Sequence, residues 1–359
     1  MLRCKYLKCS LYSISTTYSI VMVSRILKQY FKKQKTPLKL NFLYQYGITK
    51  STKNIIHQSA FLHEELSIRI SHRIIDLIKL PYGLPLIPDI KNVIDLYTYS
   101  FERIQQLNKP RHLIEVESFA ELLGDIKTKH KDLETTISNG LKQINNPFID
   151  NDLMNTKLDS FFVSRIGIRT LISQHNELVF NKQSIIEQCN INDIVMNSIH
   201  MVSCMARDLY DKTPIIKLKL KMKKDIQFPY IPGHIFYIIN EILKNSVVAH
   251  YKQDTLNHPI YMDITEGERD IIIKISDMGG GFSRDKIKDA FTYSYSTSPT
   301  PNIYDSRKPI ISGLGFGLPT ARLYARYFGG ELIVNPMENY GTDVYVYIHK
   351  LGNNVETLY

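Results

Sequence analysis

Three short stretches in the second half of the chain constrain its fold more than anything else in it. The run Asp270 to Ser276, DIIIKIS, has the apolar character of a buried strand, and it stops at Asp277 followed by Met278-Gly279-Gly280-Gly281. Successive glycines admit positive φ and let backbone come close to a ligand. Upstream, Tyr237 to Ala249 (YIINEILKNSVVA) reads as a helix, because Ile235, Ile238, Ile239, Ile242 and Leu243 recur at helical spacing and give one buried stripe. Glu241 and Asn245 stand four apart, so they lie one above the other on one face with Lys244 beside them. A carboxylate and a carboxamide one turn apart suit two tasks, holding a hard cation through oxygen or acting on a proton. Downstream, Gly313, Gly315 and Gly317 alternate ahead of Leu318-Pro319 and an amphipathic run from Thr320 to Phe328. Glycine amides leading into a helix N-terminus make a cradle for phosphate. Taken singly, each stretch has a plain structural reading: a solvated helix face, a strand ending in a turn, a glycine-rich connection. The ordered trio is specific where its parts are not.

The 359 residues suffice for two domains, each with its own core. Between Ser59 and about Phe180 apolar residues recur at three and four. Glu64 to Leu80, Asn92 to Leu107, Ile114 to Ile144 (with interruptions) and Asn155 to Asn176 predict four amphipathic helices, an up-and-down bundle. Pro81-Tyr82-Gly83, Pro85 and Pro88 separate the first from the second. From Ile191 the pattern mixes. A helix over Asn192 to Tyr210 precedes IIKLKLKMK, a half-buried strand after Pro214. The Glu241 helix follows, then strands over Ile260 to Ile264 and Asp270 to Ser276, the Thr320 helix, and strands over Glu331 to Asn335 and Asp343 to His349. That order predicts an antiparallel-rich sheet with helices on one face. Phe291 to Ser312, rich in Tyr, Ser, Thr, Pro and Asn, is long for a structureless connection and reads as a lid over nucleotide, with a plain surface loop as the competing reading.

The formal net charge of +10 does not indicate a nucleic-acid partner once it is located. Met1 to His63 hold eleven Lys and Arg and no acid, while Glu64 to Tyr359 carry 34 basic and 35 acidic residues, a net of −1. A basic, acid-free leader rich in Ser, Tyr and Thr has the composition of a mitochondrial transit segment. A secretory signal or a disordered cytosolic tail are the competing readings. Its longest apolar run, SIVMV at Ser19 to Val23, is too short to span a bilayer, so no transmembrane segment is expected. Residues 1–50 are therefore expected to direct import and add nothing to the fold, and a chain beginning near Thr52 should melt like the whole. Cys4, Cys9, Cys189 and Cys204 have no paired spacing and indicate neither a zinc site nor a disulfide framework.

The trio resembles the ATP site shared by histidine kinases, the chaperone Hsp90, DNA gyrase B and the mismatch-repair protein MutL. More narrowly, EILKN (Glu241 to Asn245), YSTSPTP (Tyr295 to Pro301), GFGLPTARLYARYFGG (Gly315 to Gly330) and GTDVY (Gly341 to Tyr345) resemble the mitochondrial 2-oxoacid dehydrogenase kinases, pyruvate or branched-chain. SRIGIRTLISQH (Ser164 to His175) and FLHEELSIRI (Phe61 to Ile70) match the helical domain of that family, so the likeness runs over roughly residues 60 to 350. It implies a four-helix bundle (55–185) followed by an α/β sandwich ATP-binding domain of the histidine-kinase/Hsp90 type (190–350) and a short tail (351–359).

By the same resemblance Asn245 would bind Mg²⁺ bridging the ATP phosphates and Asp277 would accept from the adenine amino group, supported by Thr342. Lys244, Gly279, Gly281, Gly313, Leu314, Gly315, Phe316, Gly317 and Leu318 would line the nucleotide, with Ser296 and Thr297 closing from the lid, and Glu241 would be the general base toward a target serine. Lys127, His130, Arg165 and Arg169 match positions of a small-anion regulatory pocket. The implied substrate is the E1 component of a dehydrogenase complex in the mitochondrial matrix, with docking on the lipoyl domain of E2 and a homodimer. Four departures stand out: Val248 and Met278 where the family has arginine, Tyr237 where pyruvate dehydrogenase kinases have histidine, and no tryptophan anywhere, so no tryptophan-bearing C-terminal tail. They motivate a non-catalytic nucleotide-binding scaffold as one alternative. A sensor histidine kinase is another, although no helix ahead of the ATP-binding domain carries a His-Glu pair with a following proline.

Overall fold

The computed structural model describes residues 25–48, 51–144, 150–220, 226–293, 295, 314–350 and 355–357. They form two compact units, one of residues 1–36 and 51–150 and one of residues 37–50 and 151–359. Ser296, Thr297 and Gly313, with most of the expected lid, lie outside the described residues, as do the first 24 residues of the leader.

The first unit is helical: α1 (Arg25–Phe31), then, after residues belonging to the second unit, α3 (Thr52–Ile78), α4 (Pro88–Gln106), α5 (Leu113–Lys129) and α6 (Leu133–Lys142). Helix α3 starts where the Ser51 hydroxyl accepts from the Asn54 N–H, twelve residues before the expected start at Glu64. After its end, Tyr82 and Gly83 take positive φ (59° and 74°), and Pro88 opens α4 at its first position. Helix α3 packs on α1, α4 and α5, and its apolar stripe is filled by Leu62, Leu66, Ile70, Ile74 and Leu77. The same helix buries an ion pair, Arg69 Nε to Glu65 Oε1 at 2.6 Å, with both side chains at most 2% exposed. The Thr36 peptide satisfies both partners: its N–H donates to Glu65 and its carbonyl accepts from Arg69.

The second unit holds α2 (Leu40–Ile48), α7 (Asn151–Asn176) and a π turn, then β1 (Glu187–Asn190), α8 (Ile191–Tyr210), β2 (Ile216–Leu220), β3 (Gln227–Tyr230), α9 (Pro232–Lys252), β4 (Ile260–Glu266), β5 (Asp270–Gly280), α10 (Ile287–Ala290), α11 (Gly317–Arg326), β6 (Glu331–Met337) and β7 (Tyr340–His349). Five strands make one sheet in the order β2-β4-β5-β7-β6, parallel between β2 and β4 and antiparallel elsewhere. Burial alternates residue by residue along β5, as it must in a sheet covered on one face, and the inward isoleucines 271, 273 and 275 are fully buried. Helix α9 lies against β5 and between α8 and α11. Strands β1 and β3, which the sequence pattern did not announce, pair antiparallel as a separate two-stranded sheet, with Pro229 inside β3.

Two expectations are corrected by the fold. The leader does contribute to it from Arg25 onward: Leu27, Leu38, Leu40 and Leu43 are 5% exposed or less. The Leu38 N–H donates to Glu356 Oε1 at 2.9 Å and the Glu356 N–H returns to the Leu38 carbonyl at 2.7 Å. Glu356 also receives the Tyr327 hydroxyl, and it is 4% exposed, so the expected tail carries a buried anchor rather than a loose end. The bundle helix expected over Asn155 to Asn176 belongs with the second unit, because Phe162 on α7 packs against Phe316 and Tyr293. No helix among the described residues is long and apolar enough to cross a membrane.

Candidate nucleotide site

Helix α9 brings the polar positions together. Glu241 and Lys244 form an ion pair at 2.5 Å, each side chain 15% exposed, so the carboxylate is held in one orientation yet stays within reach of solvent. Asn245, one turn on, is exposed. Opposite this face begins α11, whose first residue is Gly317. A Cβ on Gly317 would stand 2.2 Å from Glu241 Oε2, so the glycine lets the helix N-terminus come directly against the carboxylate. Gly315 takes φ of +75°, and Leu314 and Leu318 are half-buried around it. The start of a ten-residue helix carries unpaired N–H groups and the positive end of its dipole, which is where phosphate binds.

Phe316, expected to offer its backbone to the nucleotide, keeps its ring in the core. Its side chain is 2% exposed and sits between the rings of Phe162 and Tyr293, so only its backbone is available to a ligand.

The other end of the site is built on Asp277, which is 7% exposed. The expected free glycine turn is instead the last part of β5, which runs on to Gly280 with a register shift against β7 between Asp277 and Gly280. Asp277 Oδ1 accepts from the Gly279 N–H (3.0 Å) and the Thr342 N–H (3.2 Å), and Oδ2 accepts from the Ser246 hydroxyl (2.9 Å). Gly341 must be glycine, since a Cβ there would meet the Asp277 carbonyl oxygen at 1.9 Å. Gly281, at φ +57°, is wedged against the Met337 and Gly341 carbonyls. Burial pushes the Asp277 carboxyl above the ordinary carboxylate range, and its three hydrogen bonds act in the opposite sense.

Sequence reasoning missed Ser246 and His250, whose imidazole accepts from the Met278 N–H at 3.1 Å. Both stand on the face of α9 turned toward the β5 end, and their spacing of four was the one available signal. Of the four anion-pocket residues, Lys127 and His130 lie in the first unit, His130 beside Ser100 (2.8 Å) and Tyr97. Arg165, buried, and Arg169, half-buried, lie on α7 in the second unit. Tyr237 packs its ring on Tyr324 at 4.6 Å. Among the described residues no group of three His, Cys, Asp or Glu is placed to hold a metal ion.

Val248 is 7% exposed, whereas Met278 is half-buried. Restoring a charge at the two positions should therefore have unequal effects. Val248→Arg buries a guanidinium and should lower the melting temperature by at least about 5 °C. Met278→Arg should be tolerated within about 2 °C, and thermal melts of the two variants beside wild type check both.

A sheet with helices on one face, an Asp at a glycine-laced strand end and a glycine-led helix define the class of ATP-binding domain found in histidine kinases, DNA gyrase B and HSP90. The model for that class, histidine kinase-, DNA gyrase B-, and HSP90-like ATPase, matches residues 231–351, and one described as mitochondrial branched-chain alpha-ketoacid dehydrogenase kinase matches residues 37–202. The chain is 32% identical to the mitochondrial [pyruvate dehydrogenase (acetyl-transferring)] kinase of Arabidopsis thaliana, over 90% of this chain and 93% of that protein. It is 30% identical to human isozyme 3 of that kinase over 92% and 87%, and 28% identical to the Drosophila melanogaster kinase over 95% and 88%. The chain belongs to the mitochondrial 2-oxoacid dehydrogenase kinase family.

Proposed function

We propose that this chain is an ATP-dependent protein-serine/threonine kinase of the mitochondrial matrix that phosphorylates, and so inactivates, the E1 component of a 2-oxoacid dehydrogenase complex. The observation that carries the reading is the contact of Glu241 with Gly317, which sets a carboxylate against the N-terminus that would receive the phosphates. In this reading the adenine amino group donates to Asp277, and the backbone of the Gly315–Leu318 segment meets the phosphates. Asn245, an exposed oxygen donor one turn from Glu241, would hold Mg²⁺. Magnesium takes one or two protein oxygens and the rest from phosphates and water, so a single carboxamide without a protein cage fits it. Bound there, the ion would neutralise phosphate charge. Glu241 takes the proton of the serine hydroxyl as its oxygen bonds to the γ-phosphorus; the bond to the β,γ-bridging oxygen breaks and ADP leaves.

Pyruvate dehydrogenase is the favoured complex, because the curated relatives carry that substrate in their names. Tyr237 and GFGLPT lean toward the branched-chain type. Adding the chain and ATP to each purified complex separates the two: loss of pyruvate dehydrogenase activity supports the favoured substrate, and loss confined to the branched-chain complex replaces it. Docking on the E2 lipoyl domain, homodimerisation and the small-anion pocket at Lys127, His130, Arg165 and Arg169 rest on the family resemblance, and the import role of the basic leader rests on its composition.

The raised pKa of Asp277 makes a prediction with a definite sign. Only the ionised carboxylate is a full acceptor, and its folded pKa lies above the ordinary 3.8. Nucleotide affinity should therefore fall as pH drops through that raised value, earlier than for an ordinary aspartate. Isothermal titration with ATP at successively lower pH should show this loss in wild type setting in above the pH at which an ordinary aspartate protonates. Asp277→Asn should bind about 10- to 100-fold more weakly at pH 8 and lose the Asp277 part of the pH dependence.

A further inference from the structure

We infer that His250 is a positioning residue that sets how closely the site reads the nucleobase, acting through the Met278 amide and the Asp277 carboxylate; the inference rests on the nucleotide reading of the Asp277 pocket. The His250 side chain is fully buried in the last turn of α9. Its Nε2 accepts from the Met278 N–H at 3.1 Å, so that nitrogen is unprotonated, and Nδ1 then carries the proton and donates to the Thr255 carbonyl at 2.8 Å. One neutral tautomer satisfies both contacts.

The position on the helix gives this bond its consequence. Ser246 stands four residues earlier, on the same face, and its hydroxyl donates to Asp277 Oδ2 at 2.9 Å. One helix face thus grips the carboxylate of Asp277 and the amide that follows it. Just past the two gripped residues Gly279 closes on the helix itself, where an added Cβ would stand 2.5 Å from Ala249 Cβ and 3.0 Å from the His250 backbone nitrogen. The strand end is fixed to α9 at three points across the register shift, where ladder pairing with β7 is interrupted.

A carboxylate that must accept from an amino group over about 3 Å loses much of that bond if its support moves by a few tenths of an ångström. The grip should matter most for a base bearing an amino group where adenine does. Hypoxanthine carries a carbonyl oxygen there, which faces a carboxylate unfavourably.

The test is the ratio of dissociation constants for ITP and ATP, measured by calorimetry on wild type, His250→Gln and His250→Asn. Gln places an oxygen near the position of Nε2 and keeps the Met278 bond; Asn ends near Nδ1 and keeps only the contact toward Thr255. Wild type and His250→Gln should prefer ATP by a similar factor, and His250→Asn should lose about tenfold of that preference. Equal weakening of both nucleotides in His250→Asn, or a lowered melting temperature with the ratio intact, would make the histidine a core residue only and overturn the inference. Should His250→Asn not fold, amide exchange in wild type decides the same question. The Met278 proton should be protected further by ATP than by ITP, and equal protection overturns the inference. Wild type that binds neither nucleotide would overturn the site reading itself, a different failure from an ATP site indifferent to His250.

Discussion

Glu241→Gln should bind ATP with close to wild-type affinity and transfer phosphate about 10²- to 10⁴-fold more slowly. The substitution keeps the shape of a side chain that packs against Gly317 and removes the basic oxygen proposed to take the serine proton. Lys244 loses its charged partner, but at 15% exposure it can turn to water, so the helix should hold. Asn245→Ala should behave in the opposite way, weakening Mg²⁺-ATP binding before it affects chemistry. Nucleotide affinity by calorimetry and single-turnover transfer rates on both variants separate the two duties. Transfer by Glu241→Gln at the wild-type rate would remove the glutamate from the mechanism. Gly317→Ala is a useful companion, because its methyl group would occupy the space of Glu241 Oε2 and should impair transfer by displacing that carboxylate, with both functional side chains chemically unchanged.

A chain beginning at Thr52 should fail to fold, contrary to what the composition of the leader suggests. It would lose Leu27, Leu38, Leu40 and Leu43, whose burial contributes on the order of 6–12 kcal/mol. It would also strip Thr36 from the buried Glu65–Arg69 pair and Leu38 from Glu356, leaving buried polar groups without those partners. The whole net stability of a domain is about 5–15 kcal/mol, so the loss is of the same size as the total. Circular dichroism should show no cooperative melt for this truncation. A melting curve matching that of the full chain would contradict the packing described for residues 25–48.

What the sequence disclosed and what it hid divide along a physical line. Glu241, Asn245, Asp277 and the glycines were legible because their chemistry needs particular residue types at short spacing. The Leu38–Glu356 tie joins residues 318 positions apart, and nothing local in either segment announces it. Acid-free composition marked the leader as a transit segment, yet composition says nothing of the leucines that it carries into the cores. Helix α7 looked like its bundle neighbours because amphipathic helices share one pattern; the aromatic contacts of Phe162 decide its unit. Phe316 sat inside a glycine motif, and only the fold shows its ring buried against Phe162 and Tyr293. Strands β1 and β3 are four residues each, too short for alternation to register, and Pro229 argued against the second.

The central claim is that this chain moves phosphate from ATP to a serine of a dehydrogenase, and one measurement meets it directly. The protein is incubated with γ-labelled ATP and purified pyruvate dehydrogenase complex, and the label is located and its acid stability recorded. Acid-stable label on the E1 component, appearing about 10²- to 10⁴-fold more slowly with Glu241→Gln, is the predicted result. Acid-labile label on the chain itself, or tight ATP binding with no transfer to the pyruvate or the branched-chain complex, would contradict it.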